Sequence, residues 1–373
     1  MDSESLKAEL ADIATQHLID RIGFCTAAVF DDVRRSLHDR KADGLSADMQ
    51  FTYRNPDRAT DPERALPGAR SLVVGARSYR RQRADGLDGG DGAGPSAAVA
   101  EYVWEAHYES LREGLDAIGE RLRADGWKTR TLIDDNALVD RAAAHRAGLG
   151  WWGKSANILV PGIGSKVVLG SVVTDAPLVE VDTPIADQCG TCTRCIEACP
   201  TDAIVANGVI DANRCLAWLV QAVGVFPREF RKGLGGRIYG CDECQATCPP
   251  NLLTDRKEPA PITNGEAQVA VVELLTLDDK ALMDRFGVWY IPKRDPRYLR
   301  RNALVVLGNV GDGDSDHIQQ LLRQYLDCGD DLLVAHAVWA ASELGRTDLL
   351  DTETLAMVGP LSQDELAQLR GGA

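Results

Sequence analysis

Eight of the ten cysteines in this chain lie between Cys189 and Cys248, and no other feature constrains the fold as tightly. The first run is Cys189-x2-Cys192-x2-Cys195-x3-Cys199-Pro200. Cys215 follows alone, and then Cys241-x2-Cys244-x3-Cys248-Pro249. Three cysteines spaced two apart wrap one iron–sulfur cubane, while the cysteine before the proline reaches a second. The second run is one thiol short, and Cys215 supplies it. The spacing therefore predicts two 4Fe–4S clusters in a ferredoxin-like module. Cys189, Cys192, Cys195 and Cys248 are expected on one; Cys199, Cys215, Cys241 and Cys244 on the other. Zinc also uses CxxC pairs, but zinc sites rarely need the CxxCxxCxxxCP run. Cys25 and Cys328, outside the block, are expected to be buried small apolar residues.

Thiolate ligation fits a reducing compartment better than a disulfide framework does. The start, Met1 to Ser5, lacks the basic and apolar regions of a signal peptide. No stretch approaches the ~20 apolar residues that span a bilayer. A cytoplasmic protein with no membrane association is expected, and a monomer. With 373 residues and roughly 150 per domain, two or three domains are expected. Lys+Arg 41 against Asp+Glu 56 gives −15, which argues against indiscriminate binding of polyanions but leaves room for a local basic site.

Residues 1–185 read as alternating helices and strands, a mixed α/β domain. Helical spacing runs from Leu6 to Ile22, and strands are predicted at Phe24–Phe30, Ser71–Gly75 and Thr131–Ile133, with one more supplied by Val167–Leu169 and Val172–Val173 together. Helices are predicted from about Val99 to Arg123 and from Leu138 to Arg146, and a Gly/Asp-rich loop over Asp85–Pro95. Residues 186–255 hold the cysteine block. Residues 256–373 read as helical, with Arg301–Gly311 resembling Ala335–Gly345 at an offset of 34 residues, as in HEAT-like repeats.

The cysteine block sits within Cys-Gly-Thr-Cys-Thr-Arg-Cys-Ile-Glu-Ala-Cys-Pro-Thr-Asp-Ala-Ile from Cys189. Around it stand Leu66-Pro-Gly-Ala-Arg-Ser, Arg146-Ala-Gly-Leu-Gly-Trp-Trp-Gly-Lys and Gly235-Gly-Arg-Ile-Tyr-Gly-Cys. Together with the helical tail, these motifs resemble the epoxyqueuosine reductase family over about residues 5–345. The resemblance implies a cobalamin-binding α/β domain of the nitroreductase/reductive-dehalogenase-like kind, two 4Fe–4S clusters and a low-potential electron donor protein. It also implies reductive removal of the epoxide oxygen from epoxyqueuosine in a tRNA anticodon stem-loop, giving queuosine. Cobalamin rests on the resemblance alone.

The leaving oxygen needs a proton, so an acid is required at the site. Asp134, ending the Thr131–Ile133 strand, matches the family's proton donor; by itself, an Asp-Asp-Asn run after a strand reads as a turn or cap. Lys154 and Arg58 match family residues near the cofactor, and Asp134 is expected to face it as well. Asp134-Asp135-Asn136-Ala137 stands where the family usually has Asp-Thr-Gly, and Lys154-Ser155 where it has Lys-Asn. Lys293, Arg294, Arg297, Arg300 and Arg301 place five basic residues in nine, a candidate tRNA-phosphate surface or a solvated helix face. Arg228, Arg231, Lys232 and Arg237 form a weaker basic group. Two other readings stand beside the first: a cobalamin/iron–sulfur reductase acting on a small molecule, and a pure electron carrier.

Overall fold

A computed structural model describes residues 3–81, 94–179, 181–255, 265–351, 355 and 358–371. The Asp85–Pro95 loop expected from the sequence lies almost wholly outside the described residues. By internal contacts the chain divides into two compact units, each assembled from three separate segments. Unit 1 comprises Met1–Gln82, Glu101–Asn213 and Asp242–Thr263; unit 2 comprises Arg83–Ala100, Arg214–Cys241 and Asn264–Ala373. Among the described residues no helix is long and apolar enough to cross a membrane.

Unit 1 is built on a sheet of four strands in the order Arg21–Thr26, Ser71–Ser78, Val167–Thr174, Thr129–Leu132, every pair antiparallel. Alternation along each strand divides its residues between two faces. Leu72, Val74, Ala76, Leu169 and Val173 pack with the alanines of helix Asp140–Arg146. Val73, Val168 and Val172 face the other way, onto helices Ser3–Gln16 and His107–Ala124. The second helix presents Leu111, Leu115, Ile118 and Leu122 at helical spacing, all fully buried. Gly75 pairs with Gly170 across the sheet, and a Cβ on Gly170 would meet a Leu115 methyl at 2.8 Å. The paired glycines thus make the hollow that Leu115 fills. Sheet with helices on both faces is the mixed α/β architecture that the sequence predicts.

Several element boundaries differ from the expectation. The first strand runs Arg21–Thr26 rather than to Phe30, because Phe30 already precedes helix Asp31–Ala42 and is buried in the core. Val99 is not helical. It ends strand Ser96–Val99, and the helix starts only at His107. That strand is the centre of a three-stranded sheet in unit 2, parallel to Arg237–Tyr239 and antiparallel to Gln268–Ala270. Distant pairing partners override the local pattern here.

Unit 2 is otherwise helical. The offset repeat corresponds to helices Arg297–Val310 and Asp331–Glu343, with helix Asp316–Leu326 between them. They approach closely at small residues: a Cβ on Gly308 would lie 2.7 Å from the Trp339 ring and 2.9 Å from Ala340. Cys328 is exposed rather than buried, because it lies just past the C-terminal end of helix Asp316–Leu326. Cys25 is fully buried, as expected.

His336 is fully buried between two backbone groups, its Nε2 accepting from the Phe226 N–H at 3.1 Å and its Nδ1 donating to the Leu332 carbonyl at 2.7 Å. Burial holds its pKa well below the ordinary 6.5, and Arg231 lowers it further. The folded form therefore keeps His336 neutral while the unfolded chain takes up a proton below about pH 6.5. Stability is fully present above that value and falls as pH drops, by up to about 1.4 kcal/mol per pH unit. His336→Gln is expected to flatten this part of the pH-stability curve, measured by denaturant melts between pH 7 and 5.

Candidate active site

Strand Thr129–Leu132 and the helix beginning at Asp140 frame a loop containing Asp134, Asp135 and Asn136. Asp134 has φ +49°, the left-handed region that an L residue enters only at a cost. Asp140 Oδ2 accepts the Asp134 N–H at 3.1 Å. The loop is braced from within by Asp135, whose Oδ1 accepts the Ala137 N–H at 2.8 Å. Asn136 Oδ1 accepts the N–H of Thr52, itself at φ +66°, at 2.7 Å. Arg141 donates to the carbonyl of Ala156, at φ +60°, at 3.2 Å. The Val139 N–H bonds the Ala59 carbonyl at 3.0 Å. Three chain segments, 52–59, 134–141 and 153–158, are thus tied together at three left-handed, non-glycine residues. Such concentrated backbone strain is a mark of a functional site.

The carboxyls there are not ordinary. Asp134 is exposed, yet desolvation by the groups around it raises its pKa; Arg141 opposes the rise and Asp135 adds to it. Asp140 is raised well above the carboxylate range by the same desolvation, against its hydrogen bond from Asp134, with the Asp134 and Asp135 charges adding. Its Oδ1 is shut off from solvent and has no hydrogen-bond partner. Trp151 Nε1 is a second buried polar atom of unit 1 with no partner.

Arg58 is exposed on the short helix Pro56–Ala59, whose Ala59 carbonyl holds Val139. Lys154 Nζ donates to the Gly190 carbonyl at 2.8 Å, so its ammonium is turned to the cysteine block. Trp151 is buried and Trp152 half-buried, on a short strand paired with Ile158–Leu159.

Within unit 1, burial, with Cys195, Cys189 and Cys192 adding, pushes the Cys248 thiol up to about 11, against a hydrogen bond from the Asn251 backbone. Cys195 is raised by burial and by Cys189 and Cys192. Cys199 Sγ accepts the Ala203 N–H at 3.2 Å. Asn157 Nδ2 lies 4.0 Å from Cys244 Sγ. In unit 2, Cys215 caps helix Leu216–Leu219, and Cys241 follows the left-handed Gly240. Among the described residues, no three His, Cys, Asp or Glu side chains are gathered tightly enough for a single ion.

The Cys244–Cys248 segment is anchored by a buried amide network. Gln245 Nε2 donates to Tyr79 Oη at 2.9 Å and to the Ser165 carbonyl at 3.0 Å. Asn251 Nδ2 donates to Ser165 Oγ at 3.0 Å and to the Gln245 carbonyl at 2.8 Å. Gly164 makes room for this: a Cβ there would lie 2.0 Å from Asn251 Oδ1.

The basic run is not the continuous surface expected. Arg301 is fully buried, with its donors on the carbonyls of Leu219, Val220, Ala222 and Gly224 and on Asn302 Oδ1. Arg300 is buried and donates to Asp279 and to the Leu277 carbonyl. The periodicity of helix Arg297–Val310 turns both inward, where they satisfy carbonyls that would otherwise be orphaned. Arg297 is exposed but held by Asp295 and Asp330. Lys293 and Arg294 are exposed as well, beside exposed Val288 and Tyr290. The weaker group also dissolves: Arg231 is buried against Glu365, which Arg228 also engages, and Lys232 pairs with Glu343.

Residues 188–251 match the family model of the 4Fe-4S double cluster binding domain, a span containing all eight clustered cysteines. The chain is thus a two-cluster iron–sulfur protein. The epoxyqueuosine reductase of Bacillus cereus is 31% identical over 384 aligned residues, covering 100% of this chain and 98% of its own length. A crystal structure of an epoxyqueuosine reductase with a tRNA-Tyr epoxyqueuosine-modified stem loop superposes with a TM-score of 0.87 at 29% identity, covering 98% of each chain. The Bacillus subtilis enzyme, solved with its catalytic loop swung out of the active site, superposes with a TM-score of 0.84 at 28% identity over 98% of this chain and 99% of its own. The chain belongs to the epoxyqueuosine reductase family. It is an oxidoreductase.

Asp140 and Arg141 carry no signal of their own in the sequence, and Asn136 only that of a turn or cap residue. Asp140 was legible only as an acidic residue opening a helix, where a carboxylate has a routine role.

Proposed function

We propose that this chain reduces epoxyqueuosine in a tRNA anticodon stem-loop to queuosine. The reaction takes up two electrons and two protons, and the epoxide oxygen leaves as water. What supports the reading is a likeness that holds end to end, to relatives of that name and to a solved structure carrying the modified stem loop. Residues 1–185 form the catalytic part, 186–255 carry the clusters and 256–373 form a HEAT-like helical part. Cys189, Cys192, Cys195 and Cys248 hold one cluster, and Cys199, Cys215, Cys241 and Cys244 the other. The donor set of eight thiols fits these groups.

The strained loop fits a large cofactor with polar edges. Trp151 Nε1 offers a buried donor that no protein group uses. Cobalamin, when bound, supplies the two-electron reduction, with electrons delivered through the clusters from a low-potential donor protein. Asp134 gives a proton to the leaving oxygen, and desolvation, which raises its pKa, favours that role. Arg58 and Asp134 line the cofactor side, and Lys154 braces the first cysteine run through Gly190. Lys293 and Arg294 contact tRNA phosphates, with Tyr290 available to stack on a base.

The test is anaerobic turnover of epoxyqueuosine-tRNA with cobalamin and a chemical reductant, read by nucleoside mass spectrometry. Loss of one oxygen is expected; no conversion by fully loaded protein overturns the substrate. Cys248→Ala is expected to lose about half the bound iron. Full iron retention in that variant overturns its place as a ligand.

A further inference from the structure

Left-handed backbone at a non-glycine residue persists only where neighbours hold it, at a cost of roughly 1–2 kcal/mol. At Asp134 the contacts are few and separable. Asp135 and Asn136 brace the turn on either side, to Ala137 and Thr52. The bond that bears on Asp134 itself is the one from its own N–H to Asp140 Oδ2, at 3.1 Å. Asp140 is well placed to be the fixed end of that bond. It opens a helix whose Ala142, Ala143 and Ala144 are buried against the sheet, so its backbone is anchored.

We propose that Asp140 is the positioning residue of the Asp134 loop: as the acceptor for the Asp134 N–H, it latches that residue in its left-handed conformation. The proposal rests on the reading of Asp134 as the acid, but its structural half is independent of that reading. The Bacillus subtilis relative, with its catalytic loop swung out, shows that such a loop has more than one position in that protein. The acceptor, not the charge, does the holding. Asparagine keeps an oxygen at the same reach, and alanine does not.

The experiment compares the cluster-loaded full chain with Asp140→Ala and Asp140→Asn, by amide hydrogen exchange over residues 133–138 and by turnover. A hydrogen bond between neutral groups is commonly worth about 0.5–1.5 kcal/mol, so Asp140→Ala is expected to speed exchange there by about 2–10-fold. It is expected to lower kcat by a similar factor with KM for the tRNA unchanged, while Asp140→Asn restores both. Exchange unchanged in Asp140→Ala overturns the latch, as does an Asn variant that exchanges as fast as Ala. Exchange that responds as expected with turnover unmoved upholds the latch and instead removes Asp134 from the chemistry. If Asp140→Ala fails to fold, Asp140→Ser, too short to reach the Asp134 N–H, takes its place.

Discussion

Asp134→Asn is expected to slow turnover by about 10²–10⁴-fold, the usual contribution of a positioned general acid. The substitution is nearly isosteric and leaves the Asp134 N–H on Asp140, so the loop and both clusters should persist. What it removes is a deliverable proton. The wild-type rate is expected to fall as pH rises through the Asp134 pKa, because the acid form is the active one. Desolvation raises that pKa, so the fall comes at higher pH than for a free carboxylate. In Asp134→Asn this limb should disappear. Single-turnover rates across pH, with iron content and cobalamin spectra as controls, read all of this. Unimpaired turnover would falsify the assignment.

Arg301→Ala carries the second large effect, and it concerns stability rather than phosphate contact. The side chain lies at full burial within unit 2 and serves four carbonyls between Leu219 and Gly224. Burial pulls its guanidinium pKa down, but its donors have partners throughout. Removing it strands several acceptors at once and leaves a cavity, so a loss of about 3–5 kcal/mol is expected. For a unit of this size that corresponds to roughly 10 °C in Tm. Lysine should not rescue, because a compact ammonium cannot reach several carbonyls in fork geometry. Cys215 begins the short helix whose last turn Arg301 caps, so iron loss on gel filtration should accompany the melt. Lys293→Ala with Arg294→Ala, by contrast, should leave Tm in place. A Tm unchanged by Arg301→Ala would show that water replaces the guanidinium at little cost.

The cysteine block was legible because thiolate spacing is a local code: Cys189, Cys192 and Cys195 must sit on one turn of chain to share a cluster. The sheet of unit 1 was legible for a related reason, since Leu72–Val74 and Val172–Val173 are apolar runs whose alternation only a strand with two covered faces satisfies. Long-range partnership is what the sequence did not display. Nothing near Val99 announces Arg237–Tyr239 or Gln268–Ala270 as its ladder, and nothing near Arg301 announces the carbonyls of 219–224. A basic run looks the same whether it meets water or a buried loop. Asp140 was hidden likewise: its meaning lies in the N–H it accepts, six residues back across a loop.

Strand Ser96–Val99 has a consequence for how the protein is made. Both of its ladder partners lie far downstream, the second ending at Ala270. At ordinary translation rates, on the order of ten to thirty seconds separate synthesis of the strand from that of its last partner. Through that interval a nascent chain carries the two bare edges of Ser96–Val99 at the ribosome, a pairing template for any neighbouring extended segment. High sequence separation of this kind slows folding. Yield of the intact protein should therefore depend on chaperone supply and growth temperature more than its equilibrium stability suggests.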